Sequence, residues 1–199
     1  AWDLTKKKTL TRNMKTIETL GAVNVLCTDK TGTLTENKME IQDMYEYSDT
    51  FIETSYLSCP TVAYDPMEIA IKEYKKKKKA IRKKIEITKE YAFTPETKMT
   101  GQIIDNKLLC VKGAYESVLP LCNLEQEIYN KIKDKIDNYS KEGFRVLAVA
   151  KQNNLETIPS TLFESKLDFE GLIALYDPPR YGVKTSLSEC YSAGVRVIM

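Results

Sequence analysis

The stretch Val23-Asn24-Val25-Leu26-Cys27-Thr28-Asp29-Lys30-Thr31-Gly32-Thr33-Leu34-Thr35 decides how this chain is read. Its first half is a short apolar run with the character of a buried strand. An acid stands where that strand should end, followed by hydroxyls and a glycine. Such a turn is suited to phosphate. The Asp29 carboxylate can attack phosphorus, and Thr31, Thr33 and the backbone N–H groups around Gly32 can donate to phosphoryl oxygens in an anion-binding concavity. Asp, Thr and Gly are also ordinary turn residues, so a lone Asp-x-Thr-Gly would indicate only a strand-to-loop turn. The full heptad from Asp29 to Thr35 is what points to chemistry.

Around this turn the chain falls into three blocks. Residues 1–38 read as helix, strand and phosphate turn. Residues 39–165 read as a mixed α+β insert. Residues 166–199 read as strand, loop, helix, strand: Leu167 to Tyr176 is apolar and β-rich, Val183 to Ala193 has helical spacing, Gly194 suits a helix stop, and Val195 to Met199 is a strand. Strand–helix–strand predicts a parallel sheet with a right-handed crossover, shared by the first and third blocks. The expected fold class is therefore α/β: a mixed α+β domain with an antiparallel sheet, inserted into a partial Rossmann-like parallel-sheet domain.

Composition narrows the function. The 199 residues carry 30 Lys plus Arg against 28 Asp plus Glu, a net charge of +2 that predicts no nucleic-acid partner. No apolar stretch approaches the roughly 18–20 residues that span a bilayer, so direct membrane insertion is not expected. No signal peptide is visible. Five scattered cysteines suit reduced thiols inside a cell.

The heptad resembles the phosphorylation signature of the P-type cation-transporting ATPases, in which the Asp is phosphorylated by ATP, a known case of covalent catalysis. Met14-Lys15-Thr16-Ile17-Glu18-Thr19-Leu20-Gly21 is similar to the segment preceding that motif, and the resemblance continues to the last residue. It implies a haloacid dehalogenase-like phosphorylation domain, split between residues 1–38 and 166–199, with a nucleotide-binding domain at 39–165. It also implies ATP and Mg²⁺ as cofactors. Asp29, Lys30 and Thr31 become the catalytic candidates, with Asp29 as nucleophile and magnesium ligand and the Thr31 carbonyl as a second ligand. Related soluble phosphatases carry an aspartate two positions after the nucleophile to activate water. Thr31 occupies that place here, and a hydroxyl is a poor general base, so an aspartyl-phosphate should persist.

Four segments of the insert carry further candidates. Asp65-Pro66-Met67-Glu68-Ile69-Ala70-Ile71 begins a helix, with Asp65 as N-cap, Pro66 in the first position and Glu68 as a capping-box acid reaching back. The resemblance adds that the acid of a similar Asp-x-x-Glu lies near the adenine amino group, so Glu68 has two readings. Phe93 to Thr100 connects strand-like runs, and Glu86–Phe93, Thr100–Ile104 and Leu108–Lys112 predict a three-stranded meander turning at Asp105-Asn106. A phenylalanine at a strand end is commonly core. The resemblance instead implies an adenine-stacking Phe93, with Lys98 five residues on as a second contact. Val111-Lys112-Gly113-Ala114-Tyr115-Glu116 resembles the family's Lys-Gly-Ala-Pro-Glu, with Tyr115 in place of proline. Lysine then glycine at a strand end lets ammonium and backbone both approach a ligand. In Gly143 to Ala150, Arg145 is either a structural arginine or, as the resemblance implies, a contact to the nucleotide's phosphates.

Within Lys72–Lys84 nine residues are basic and one is acidic, which reads as a solvated helix face. Tyr176-Asp177-Pro178-Pro179-Arg180 is a stiff connection. It resembles the family's return from the nucleotide domain, and Asp177 joins the nucleotide-binding candidates. The family's Gly-Asp-Gly motif, its phosphate-bracing lysine and its transmembrane helices do not occur in these residues, so the chain is expected to bind nucleotide and not to transport. The implied parent is a pump in the cell membrane with this region on the cytoplasmic side. Its partners would be adenine nucleotide and the pump's own transmembrane and actuator domains. The resemblance implies the calcium or sodium–potassium branch, since the chain has no histidine for the His-Pro pair of the heavy-metal pumps and carries both Asp177-Pro178-Pro179-Arg180 and the phenylalanine–lysine site. The alternatives are a soluble haloacid dehalogenase-like phosphohydrolase and a nucleotide-binding module without chemistry.

Overall fold

The structure, a computed structural model, describes residues 15–77 and 85–199 together with Lys6 and Asn13. The chain forms two compact units, Ala1–Asn37 with Pro178–Met199, and Lys38–Asp177. The first begins with helix α1 (Lys15–Gly21) and strand β1 (Val25–Cys27), followed by a tight turn at Lys30–Leu34.

The second unit comprises β2 (Glu40–Glu46), α2 (Phe51–Leu57), α3 (Pro66–Lys77), β3 (Ile87–Tyr91), β4 (Met99–Ile104), β5 (Leu108–Ala114), a one-turn helix α4 (Tyr115–Val118), α5 (Gln126–Lys141), β6 (Arg145–Gln152) and β7 (Asp168–Tyr176). Its six strands form one sheet, ordered β2-β7-β6-β5-β4-β3, with every neighbour antiparallel. Successive side chains of a strand face opposite sides, and β6 and β7 use both sides for core. Val146, Ala148, Ala150, Leu172 and Ala174 pack with Ile132, Ile136 and Tyr139 of α5. Leu147, Val149, Ile173 and Leu175 pack with Phe51, Ala70 and Ile71 of α2 and α3. The 4- and 3-residue spacing of Ile132, Ile136 and Tyr139 gives α5 a single apolar stripe. Each fully buried aliphatic side chain contributes about 1.5–3 kcal/mol, so the central strands anchor the unit.

A buried polar group fixes α2 to the sheet. Glu170 on β7 is 2% exposed, pairs with Lys151 Nζ at 3.0 Å, and accepts from the hydroxyls of Thr50 at 2.6 Å and Thr54 at 3.3 Å. Gly171 beside it is required by close approach, since a Cβ there would press into the Tyr45 carbonyl and the Phe51 ring.

The meander expected at 86–112 forms as β3, β4 and β5. The strand expected at 167–176 also forms, but its partners differ from the expectation. It runs antiparallel between β2 and β6 in the second unit, not parallel to the C-terminal strand. A strand covered on both faces reads as an unbroken apolar run whichever way its neighbours point, and seven consecutive residues of β7 are buried. The division between units accordingly falls after Asp177, not at residues 165/166.

In the first unit, helix α6 (Val183–Ser192) ends with Gly194 at φ +76°, and strand β8 (Arg196–Ile198) follows. β8 pairs in parallel with β1, Val25 opposite Arg196 and Cys27 opposite Ile198. β1 was expected to be buried, yet Val25 is 38% and Leu26 41% exposed. A ladder of two strands gives each only one neighbour and leaves its apolar side chains open.

Candidate functional site

A cavity of about 970 Å³ opens in the second unit. Its wall is built from the α2–α3 connection and the start of α3, the β3–β4 connection, the ends of β4 and β5, and the start of β6. This gathers Glu68, Phe93, Lys98, Lys112, Gly113 and Arg145 into one concavity, though they are spread over most of the unit's sequence.

Each wall has a local cause. Asp65 caps α3, its Oδ1 accepting from Met67 N–H at 2.7 Å, with Pro66 in the first helical turn. Glu68 does not serve as the expected capping-box acid. Its carboxylate meets Lys112 Nζ at 2.8 Å, and Lys112 also donates to Thr100 Oγ1 at 2.6 Å. Lys112 is 4% and Glu68 8% exposed, so a neutralised ion pair forms part of the cavity wall. Lys112 was expected at a strand end, but β5 runs on to Ala114 and places the lysine inside the ladder, opposite Thr100. Behind this pair Cys59 is 3% exposed, and burial pushes its thiol up to about 11.

Gly113 lies in the wall for a packing reason. A Cβ would come within 2.5 Å of the Lys98 carbonyl oxygen and 2.8 Å of Met99 Cα. Its missing side chain lets the β3–β4 connection close onto β5, where Ala114 N–H donates to that same carbonyl at 3.0 Å. The connection is itself a tight turn: Lys98 N–H donates to Thr94 O at 2.8 Å, and Lys98 takes φ +52°. An L-residue in that region stores roughly 1–2 kcal/mol. The turn presents Phe93, 62% exposed, and Lys98, also exposed, at the cavity.

Arg145, the first residue of β6, is exposed and donates from Nη1 to Met67 Sδ at 3.9 Å, a weak contact. Lys98 and Arg145 thus bring to the cavity two exposed cations that have no acidic partner among the described residues. Tyr115, where the family pattern has proline, also lines it, and burial followed by the neighbouring Glu116 raises its phenol. Sequence reasoning missed Thr100, although counting the β4–β5 register back from the Asp105-Asn106 turn places it opposite Lys112. It also missed Tyr64, Met67 and Phe144 in the wall, for which the sequence carries no signal.

The other candidates lie elsewhere. Asp177 directly follows β7 and accepts from Lys38 N–H at 3.2 Å, closing the two chain ends of the second unit. Asp29, Lys30 and Thr31 are exposed in the first unit. Asp29 Oδ1 accepts from Lys30 N–H at 2.7 Å, and Gly32 takes φ +79°. The turn is braced by Gly32 N–H to Thr35 Oγ1 at 3.1 Å, Thr35 N–H to Lys30 O at 3.1 Å and Arg180 Nη2 to Gly32 O at 2.8 Å. Of the basic run, Lys72 Nζ donates to the Pro60 and Thr61 carbonyls and Lys75 Nζ lies 4.2 Å from the Tyr56 ring centroid. Residues 78–84 of that run, like Met14 of the lead-in segment, fall outside the described residues.

The family model for the P-type ATPase cytoplasmic domain N matches residues 16–182. The chain belongs to this P-type ATPase family. Over 98% of its length it is 34% identical to a probable cation-transporting P-type ATPase of Mycoplasma genitalium, covering 25% of that protein. It is 30% identical to calcium-transporting ATPase 1 of Bacillus cereus, over 98% of this chain and 26% of the relative. A sodium/potassium exporting P-type ATPase of Schizosaccharomyces pombe is 26% identical over 99% of this chain and 27% of the relative. This P-type ATPase chain therefore spans about a quarter of the length of the curated relatives it matches. The antiparallel six-stranded unit agrees with a nucleotide-binding domain N. Among the described residues no helix is long and apolar enough to cross a membrane.

Proposed function

We propose that the second unit binds ATP in the cavity and that Asp29 accepts its γ-phosphate in an ATP-driven cation pump of the cell membrane. In that pump this region would face the cytoplasm, alongside transmembrane and actuator domains. The observation carrying the binding step is the cavity itself, which combines an exposed aromatic, a buried acid–ammonium pair and two exposed cations. Its volume is that of a ligand site. Phe93 offers a face for the base. Lys112 uses two of its three N–H donors on Glu68 and Thr100, and the third, with the free oxygen of Glu68, forms a donor–acceptor pair suited to the adenine edge. Lys98 and Arg145 suit the phosphates, and the weak Arg145–Met67 contact exchanges readily for a charge-assisted one.

In the phosphorylation step an Asp29 oxygen forms a bond to the γ-phosphorus as the bond to the bridging oxygen breaks, and ADP leaves. The hard oxygens of the Asp29 carboxylate and the Thr31 carbonyl fit Mg²⁺, which is held by one or two carboxylates plus substrate phosphate. When bound, the ion offsets repulsion between carboxylate and phosphate. Gly32 and the Arg180 brace hold the turn in shape. A partial Rossmann-like, haloacid dehalogenase-like sheet around β1 and β8 belongs to the same reading.

Calorimetric titration tests the binding step. Phe93→Ala should weaken ATP binding about 5- to 150-fold, the worth of one base stacked on an aromatic. Equal affinities for variant and wild type would remove Phe93 from the site. For the chemical step, Asp29→Asn in the full-length pump should abolish the acid-stable phosphoenzyme and leave ATP affinity unchanged.

A further inference from the structure

The nucleotide reading places one aromatic, Phe93, against the base. The cavity has a second exposed aromatic on a different element. Tyr64 lies on the α2–α3 connection, is 85% exposed, and lines the cavity. Among the described residues it joins no aromatic pair or cation–π contact, its hydroxyl has no hydrogen-bond partner, and it packs into none of the hydrophobic clusters. Val62, two residues earlier on the same connection, is 59% exposed and lines the same cavity. A large apolar ring held in water at a concave surface, with nothing in the fold to cover it, has unspent burial energy that a ligand can recover.

The connection carrying Tyr64 is anchored on both sides. Lys72 Nζ ties down the Pro60 and Thr61 carbonyls, and Asp65 caps α3 immediately after the tyrosine. The ring is thus carried by a short tether between two fixed points, one residue from a helix whose Glu68 already belongs to the cavity. We propose that Tyr64 is a base-binding residue, supplying a second aromatic wall for a purine nucleotide opposite in sequence and element to the Phe93 turn. This rests on the nucleotide reading above and extends it to a residue no motif marks. Stacking uses the ring face and not the hydroxyl, so the function should survive replacement by phenylalanine.

The test is a titration series on the 199-residue chain with three probes, ATP, adenosine and inorganic tripolyphosphate. Tyr64→Ala should weaken ATP and adenosine equally, by about fivefold or more, and leave tripolyphosphate unchanged. Tyr64→Phe should bind all three as wild type does. Tyr181→Ala, at a fully exposed tyrosine in the other unit, should change nothing. If Tyr64→Ala matches Tyr181→Ala while Phe93→Ala weakens adenosine, the second wall is overturned and the nucleotide site stands. An equal loss for tripolyphosphate and adenosine would also overturn it, because the loop would then act through the shape of the whole cavity. A wild-type chain that binds neither ATP nor adenosine overturns the nucleotide reading and this inference together.

Discussion

Replacing Lys112 by methionine removes a charge from a place where the fold has left little water. The lysine side chain is 5% and its Glu68 partner 10% exposed, with 2.8 Å between Nζ and Oε1. At an effective dielectric constant of 20, the attraction at that separation is about 6 kcal/mol. Desolvating two ions costs a comparable amount, so the intact pair adds little net stability. Removing one partner is different, because the buried Glu68 carboxylate then loses its counterion. Thr100 is less affected, since its hydroxyl still reaches the Ser58 carbonyl at 3.4 Å. Lys112→Met and Glu68→Leu should each cost about 3–5 kcal/mol, whereas the double variant should lie within about 1 kcal/mol of wild type. Urea unfolding at pH 7, followed by far-UV circular dichroism, closes this double-mutant cycle. A loss below about 1 kcal/mol for Lys112→Met, or a double variant as weak as the two singles added together, would refute the buried-pair reasoning. The double variant, folded but lacking the polar wall, should also fail to bind ATP, which separates stability from recognition.

Three other outcomes follow from the geometry. Lys98→Gly should leave stability unchanged or raise it by up to about 1 kcal/mol, by relieving the left-handed backbone, while weakening ATP binding. Parallel unfolding and calorimetric titrations would show the opposite signs. Gly113→Ala should cost about 1–3 kcal/mol in urea unfolding, because the new methyl meets the Lys98 carbonyl, the Met99 backbone and the Cγ of the fully buried Met99 side chain. Burial raises Cys59 to about 11 and Cys110 and Cys122 to about 12. Their native thiols should resist iodoacetamide at pH 8 while exposed Cys27 is labelled first. Because these folded-state values lie above the unfolded one, their contribution to stability is full below about pH 9 and is lost as pH rises toward 11–12. A pH series of urea midpoints reads that fall.

The parts of this fold that were legible in the sequence are those set by local chemistry. The β4–β5 hairpin was marked by Asp105-Asn106, and both residues take positive φ, 50° and 57°. The helix start at Asp65-Pro66 was likewise written into residues that tolerate a cap. The direction of β7 was not legible, because burial on both faces erases the alternation that distinguishes one kind of sheet from another. Glu68 shows the same limit at the site. Three residues from a cap, its local reading as a capping acid was complete, and only a partner 44 positions away redirects its carboxylate. The six cavity residues could be assembled in advance only through resemblance, since no local rule brings a β3–β4 turn to the start of α3. Tyr64 lay beyond both routes, because its meaning depends on which surface is concave.

Lys38 and Asp177, joined by one hydrogen bond, are the first and last residues of the second unit, and Glu40 stands opposite Tyr176 in the ladder just inside them. The body between them is therefore a closed loop that enters and leaves through a single doorway. Bringing such distant ends together costs on the order of 4–5 kcal/mol of chain entropy, and the β2–β7 ladder meets that cost from within. A polypeptide with this wiring can be excised at Lys38 and Asp177 as a self-contained module. It can equally be spliced into a surface turn of an unrelated host whose two ends already lie side by side.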